Sequence, residues 1–214
     1  MMNNWKLTSA DIFNQGPVVP VLVIEHVEDA IPIAEALMKG GINVLEVTLR
    51  TAAAMQIIEK IAKELPEAYI GAGTVTNRQQ LKAVTDAGAK FAISPGLTAD
   101  LLEAGREGTI PLIPGVSNIS DLMKANDAGY DHLKFFPAEA AGGVKALKSI
   151  GGPFPNTVFC PTGGIGPNNY KEYLKLKNVK CVGGSWVAPA DAIEEHNWQV
   201  LTDLAKEAIA NAKA

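Results

Sequence analysis

The sequence predicts an α/β protein, a single (β/α)8 TIM barrel with an extra N-terminal helix, and three observations lead there. Eight short apolar runs recur along the 214 residues, each followed by a segment of helical spacing. Strands that alternate with helices in this way build parallel sheets through right-handed crossovers. Within the runs the residues alternate in character: Leu45, Val47 and Leu49 against Glu46, Thr48 and Arg50, and Leu133 and Phe135 against His132, Lys134 and Phe136. An open parallel sheet has helices on both faces, so both parities should be apolar; a barrel turns one parity inward and keeps polar groups near its mouth. No linker, low-complexity tract or composition shift divides the chain, so residues 1–214 read as one domain.

The elements follow in order. Ser9 is placed to cap a first helix that ends near Gly16. The predicted strands are Val18 to Ile24, Val44 to Leu49, Tyr69 to Ala72, Phe91 to Ser94, Ile110 to Ile113, His132 to Phe136, Val158 to Pro161 and Lys180 to Val182. Helical spacing marks Ala30 to Lys39, Ala53 to Glu64, Gln79 to Ala87 and Ile119 to Ala128. Gly40, Gly88 and Gly129 stand where helix C-caps are expected.

Composition narrows the function classes. With 47% hydrophobic and 20% charged residues the chain has material for one substantial core. A net charge of −4 and the lack of a basic block argue against a nucleic-acid partner. No run approaches the ~20 apolar residues of a membrane helix. The start, Met1-Met2-Asn3-Asn4-Trp5-Lys6, lacks the apolar centre of a signal peptide. Cys160 and Cys181, each in an apolar run, read as buried free thiols, which points to a cytoplasmic protein. His26, His132 and His196 are scattered, and neither a metal nor another cofactor is expected.

Lys134, inside Asp131-His132-Leu133-Lys134-Phe135-Phe136-Pro137, most needs a chemical reason. Burying an uncompensated ammonium costs several kcal/mol. A desolvated amine sheds its proton more readily and attacks ketones to form Schiff bases. By parity Glu46 and Arg50 face the same interior. Glu46 suits proton transfer, with an ion pair to Lys134 or Arg50 as its competing, purely structural use. Arg50, at a strand's C-terminal end, suits a carboxylate gripped by its planar fork, or is a surface arginine opening the next loop. Thr74 follows Gly71-Ala72-Gly73, where small residues let a ligand near the backbone; a plain tight turn reads equally well. Ser94-Pro95-Gly96 reads first as a loop and second as a pocket wall, and Phe136 as a wall or as core.

Two glycine turns carry the strongest binding signal: Thr162-Gly163-Gly164-Ile165 after the seventh strand and Gly183-Gly184-Ser185 after the eighth. Glycines let backbone N–H groups converge on an oxyanion, and barrels often hold phosphate at this place. A phosphorylated substrate is therefore expected. A phosphate-binding isomerase would share the turns without needing a buried lysine. A sugar-acid sensor on a decayed barrel would need neither Lys134 nor Glu46.

Several motifs stand in a distinctive order: Gly16-Pro17-Val18-Val19-Pro20-Val21, Val44 to Thr51, Gly71-Ala72-Gly73-Thr74-Val75, Ala92-Ile93-Ser94-Pro95-Gly96, Ile113-Pro114-Gly115, Lys134-Phe135-Phe136-Pro137-Ala138-Glu139, Cys160 to Ile165 and Gly183-Gly184-Ser185-Trp186. In that order, and from Asn4-Trp5-Lys6 to the final helix, the chain resembles the 2-keto-3-deoxy-6-phosphogluconate (KDPG) and 4-hydroxy-2-oxoglutarate aldolases. The resemblance implies a metal-independent class I aldolase on a TIM barrel, a homotrimer, which cleaves KDPG to pyruvate and D-glyceraldehyde 3-phosphate in Entner–Doudoroff-type catabolism. By motif it implies that Lys134 is the Schiff-base lysine and Glu46 the general acid/base. It further implies that Arg50 and Thr74 surround the pyruvate carboxylate and that Pro95 and Phe136 line the pocket. Thr162 then falls in the substrate turn, and Gly163, Gly164, Gly184 and Ser185 in the phosphate site. His132-Leu133 and Gly166 depart from the family pattern; Gly166 stands where a serine cap is expected, so the helix after the seventh strand should start less firmly.

Overall fold

The computed structural model describes residues 4–212, so Met1, Met2 and Asn3 of the N-terminal stretch lie outside the described residues. Nine strand segments run β1 (Val18–Leu22), β2 (Val44–Thr48), β3 (Tyr69–Gly73), β4 (Phe91–Ile93), β5 (Leu112–Ile113), β6 (Gly115–Val116), β7 (His132–Phe135), β8 (Val158–Pro161) and β9 (Val182–Gly184) among the described residues. Helices alternate with them: α1 (Ser9–Phe13), α2 (Ala30–Lys39), α3 (Ala54–Glu64), α4 (Arg78–Asp86), α5 (Ala99–Glu107), α6 (Ile119–Asp127), α7 (Gly143–Ile150), α8 (Tyr170–Leu174), α9 (Ala190–Glu194) and α10 (Trp198–Asn211). The result is an α/β fold on a curled parallel sheet, ordered β5-β4-β3-β2-β1-β9 in one part and β6-β7-β8 in the other. Parallel bridges join Phe159 of β8 to Val179, ahead of β9, and Thr162, just past β8, to Gly183 of β9.

The two parities of β2 do different work. Leu45 and Val47 are fully buried, and α3 packs across their strand. Burial of each such side chain stabilises by about 1.5–3 kcal/mol. Glu46 and Thr48 belong to the other parity, and Glu46 stands in register with Val21 of β1 and Gly71 of β3. The interior is filled by intrusion across strands: the Phe91 ring occupies the space that a side chain on Gly71 would need. At the other end of the strands, Phe13 of α1 meets His132 edge-on at 5.3 Å, so this histidine is packed against the first helix.

Helix starts follow local chemistry. Asn77, Thr98 and Asn118 each accept a backbone N–H from three residues on, a cap worth about 1 kcal/mol. The first helix differs from expectation by one residue. Thr8 is the cap, in a reciprocal box with Asp11, and Ser9 is already helical. Gly40 is the C-cap of α2 as expected, with Gly41 left-handed after it; two other helix ends shift by one, where Ala87 and Ala128 are the C-caps and Gly88 and Gly129 take the left-handed conformation after them.

Three strands differ from the sequence reading by more than one residue at an end, each for a visible reason. β1 stops at Leu22 because hydroxyls replace the ladder: Thr48 donates to the Leu22 carbonyl at 2.9 Å and Thr51 to that of Ile24 at 2.8 Å. The fifth strand breaks at Pro114, which has no N–H to give. Leu112–Ile113 pairs with β4, whereas Gly115–Val116 pairs with β7. The last strand runs over Gly183 and Gly184, read above as a loop, because Thr162 and Trp186 fill the volume that side chains there would take.

Candidate active site

Strand β7 presents Lys134 to the interior, its N–H bonded to Pro114 O at 3.0 Å and its register shared with Gly115 and Cys160. Lys134 is 6% exposed and Glu46 1%. The Lys134 ammonium donates to Glu46 Oε1 at 3.1 Å, across 88 residues of sequence. Gly73 makes this possible, since any side chain there would collide with the Glu46 carboxylate. The Lys134 nitrogen also lies 5.3 Å from the centroid of the Phe136 ring, which attracts a cation weakly. The Phe136-Pro137 peptide is cis.

Phe136 joins the amine to a cavity of about 380 Å³ at the C-terminal ends of the strands. Its lining includes Arg50, Thr162, Gly163, Gly164, Gly184 and Ser185, together with Phe136. Seven residues singled out from the sequence thus meet around one hollow, although they come from four separate stretches of chain. Thr74 and Pro95 are not among its lining. Thr74 is half-buried beyond Gly73 in a left-handed conformation, φ 62°, which is costly for a β-branched residue. Pro95 packs its carbonyl against Gly115, the register neighbour of Lys134.

The first glycine turn is tied down from outside. Thr162 and Gly163 carbonyls accept the N–H groups of Ala138 and Glu139 at 2.8 and 3.1 Å. The Gly164 carbonyl accepts from the Asn169 side chain at 3.0 Å, whose oxygen in turn takes the Gly166 N–H at 2.9 Å. That turn over Gly166 replaces the expected side-chain cap, and α8 begins only at Tyr170. Gly163 and Gly164 both hold positive φ, 101° and 75°. Val21, Val23, Ile165, Gly183 and Ile193 also line the cavity. Gly183 carried a signal as part of a glycine pair, but the apolar residues look like ordinary strand and helix positions. A larger groove of about 1060 Å³ lies between Trp5, Arg106 and Tyr130, lined from α5 and α6 and away from the strand ends that hold Lys134.

Cys160 and Cys181 are free and buried. Burial, and then the Cys160 thiol beside it, push Cys181 well above the ordinary thiol range, so it stays an unreactive packing group.

A paired buried lysine and carboxylate beside an apolar, glycine-walled cavity is the equipment of an aldolase, a carbon–carbon lyase. The model of the KDPG and KHG aldolases matches residues 10–204. The chain is 64% identical to 2-dehydro-3-deoxy-phosphogluconate aldolase of Pseudoalteromonas atlantica over 99% of each chain. It is 59% identical to KHG/KDPG aldolase of Escherichia coli strain K12 over 99% of this chain and all of that one. The KDPG aldolase of Legionella pneumophila, solved with pyruvate captured as a covalent carbinolamine, superposes with a TM-score of 0.94 at 54% identity, covering 96% of this chain and 99% of its own. The chain belongs to the KDPG and KHG aldolase family.

Proposed function

We propose that this chain cleaves KDPG to pyruvate and D-glyceraldehyde 3-phosphate through a Schiff base on Lys134. The buried 3.1 Å contact between Lys134 and Glu46 carries the reading. Lys134 passes a proton to Glu46, and the amine lone pair adds to the C2 ketone, giving a carbinolamine once the oxygen is protonated. Glu46 returns the proton it took to the departing hydroxyl, and loss of water leaves an iminium, an electron sink, with Glu46 again a carboxylate. Glu46, through a water, takes the C4 hydroxyl proton. The O–H electrons become the aldehyde C=O as the C3–C4 bond breaks, and its electron pair flows into an enamine. Glu46 returns a proton to C3, and hydrolysis frees pyruvate and the amine. Arg50 seats the substrate carboxylate, with Thr74 beside it, and Pro95 and Phe136 keep water from the amine. Thr162, Gly163, Gly164, Gly184 and Ser185 hold the distant phosphate, so that remote binding orients the reacting carbons. Cleavage of 4-hydroxy-2-oxoglutarate needs only the pyruvate half of this apparatus and belongs to the same proposal.

The proposal extends to the whole chain. Read as one domain, the two sheet parts make a closed eight-stranded barrel, with β5 and β6 as halves of a strand split at Pro114 and the bridges at Phe159 and Thr162 as the closure. The chain works as a cytoplasmic homotrimer, for which sedimentation at about three times the 22.6 kDa chain mass is the expected result.

Borohydride reduction with pyruvate, followed by peptide mass spectrometry, tests the chemistry. The expected adduct is on Lys134; modification elsewhere, or none, overturns the mechanism. Glu46→Gln should still trap pyruvate while cleavage falls by about 10²–10⁴, and full activity in that variant removes Glu46 from the proton route.

A further inference from the structure

We propose that Glu139 and Tyr173 form a positioning pair that shapes the Gly163–Gly164 turn for the substrate phosphate and keeps a carboxylate out of it. The inference rests on the reading of that turn as a phosphate site. Glu139 lies five residues beyond Lys134 and its backbone N–H is bonded to the Gly163 carbonyl, so it connects the lysine's strand to the turn. Its Cβ and Cγ fill the space over Gly164: a side chain on that glycine would come within 2.6 Å of Glu139 Cγ. A carboxylate this close to a phosphate would repel it. The Tyr173 hydroxyl, from α8, donates a hydrogen bond to Glu139 Oε1. Tyr173 itself is buried, and its oxygen also sits where a side chain on Gly143 would need to be, so it has little freedom to turn away. Burial first, and the neighbouring carboxylate second, push the Tyr173 hydroxyl above its ordinary range, which keeps it a donor throughout neutral pH. Neither residue touches the amine. Their reach is the geometry and charge at the phosphate end of the cavity.

Kinetics of the full chain decide the matter, with KDPG cleavage set against exchange of the pyruvate methyl protons in deuterated water. The exchange runs through the Lys134 enamine and involves no phosphate. Tyr173→Phe is expected to raise KM for KDPG about tenfold, the scale of a lost hydrogen bond to a charge, with a smaller change in kcat and in the exchange rate. Glu139→Gln keeps an oxygen for the hydroxyl without the charge, and its KM for KDPG should equal or fall below that of the unmodified protein. Because Tyr173 is buried, Glu139→Ala, which strips the Cγ packing over Gly164 from an exposed position, supplies the same split should the tyrosine variant fail to fold. Cleavage and exchange that change in parallel, or a KM that stays put in both Tyr173→Phe and Glu139→Ala, overturn the positioning role. Competition of inorganic phosphate against KDPG, weakened by Ser185→Ala, separates the two layers. If phosphate does not compete with the unmodified protein, the phosphate site falls and the pair's role with it. If it competes and the variants show no split, the pair alone falls.

Discussion

A β-branched residue in the left-handed region is held there against its own preference, and Thr74 is such a residue. The neighbouring constraints are severe: Gly73 has no room for a side chain beside Glu46, and the Val75 N–H is bonded to Ile93 O at 3.1 Å. Thr74 therefore turns sharply between two fixed points. Replacing it with glycine relieves the backbone, and Thr74→Gly is expected to stabilise the fold by about 1 kcal/mol in urea unfolding. On the proposed role, the same variant weakens pyruvate binding, so stability and KM should rise together. Strand parity put Glu46 and Lys134 on the same inner face from sequence, because period two turns both inward. Their pairing needed the fold, since 88 residues separate them.

Helix ends give a cleaner test of local chemistry. Gly129 ends α6 at φ 88° with nothing within 4 Å of a would-be side chain, so Gly129→Ala reports conformation alone. A loss of about 1 kcal/mol in unfolding free energy with cleavage retained is expected. Gly73→Ala is its counterpart inside the sheet: the new methyl displaces the Glu46 carboxylate, and activity should collapse along with stability. Caps and turns were largely readable because their chemistry is local, within a residue of the observed position. The break at Pro114 was not. A proline within a short apolar run fits either a strand's end or a strand that changes partners, and only the pairing of Gly115 with Lys134 distinguishes them. Glu139 and Tyr173 had no local signal at all, since 34 residues separate them.

At the scale of the whole molecule, buried tyrosines set an alkaline limit. Burial raises both Tyr130 and Tyr173 above the ordinary value of 10.0. A group whose folded-state value is raised keeps its proton longer when folded. Its stabilisation is complete below the unfolded value and is lost as pH climbs through the folded one. The urea midpoint is thus expected to fall above about pH 10, and Tyr130→Phe should flatten that decline. The strand–helix alternation that predicted the architecture is a property of the entire chain, which is why the fold class was legible when individual strand ends were not. On the proposed reading, the cavity has a further consequence for anyone wishing to alter which aldehyde this protein accepts. Its far wall is mostly main chain, at Gly163, Gly164, Gly183 and Gly184, and those positions are closed to substitution by Pro137, Glu139, Thr162 and Trp186. If the wall receives the aldehyde as proposed, acceptor choice is insulated from most mutations at the wall itself. A library aimed at new acceptors should vary the surrounding side chains, Ile165, Ser185 and Ile193, and leave the glycines alone.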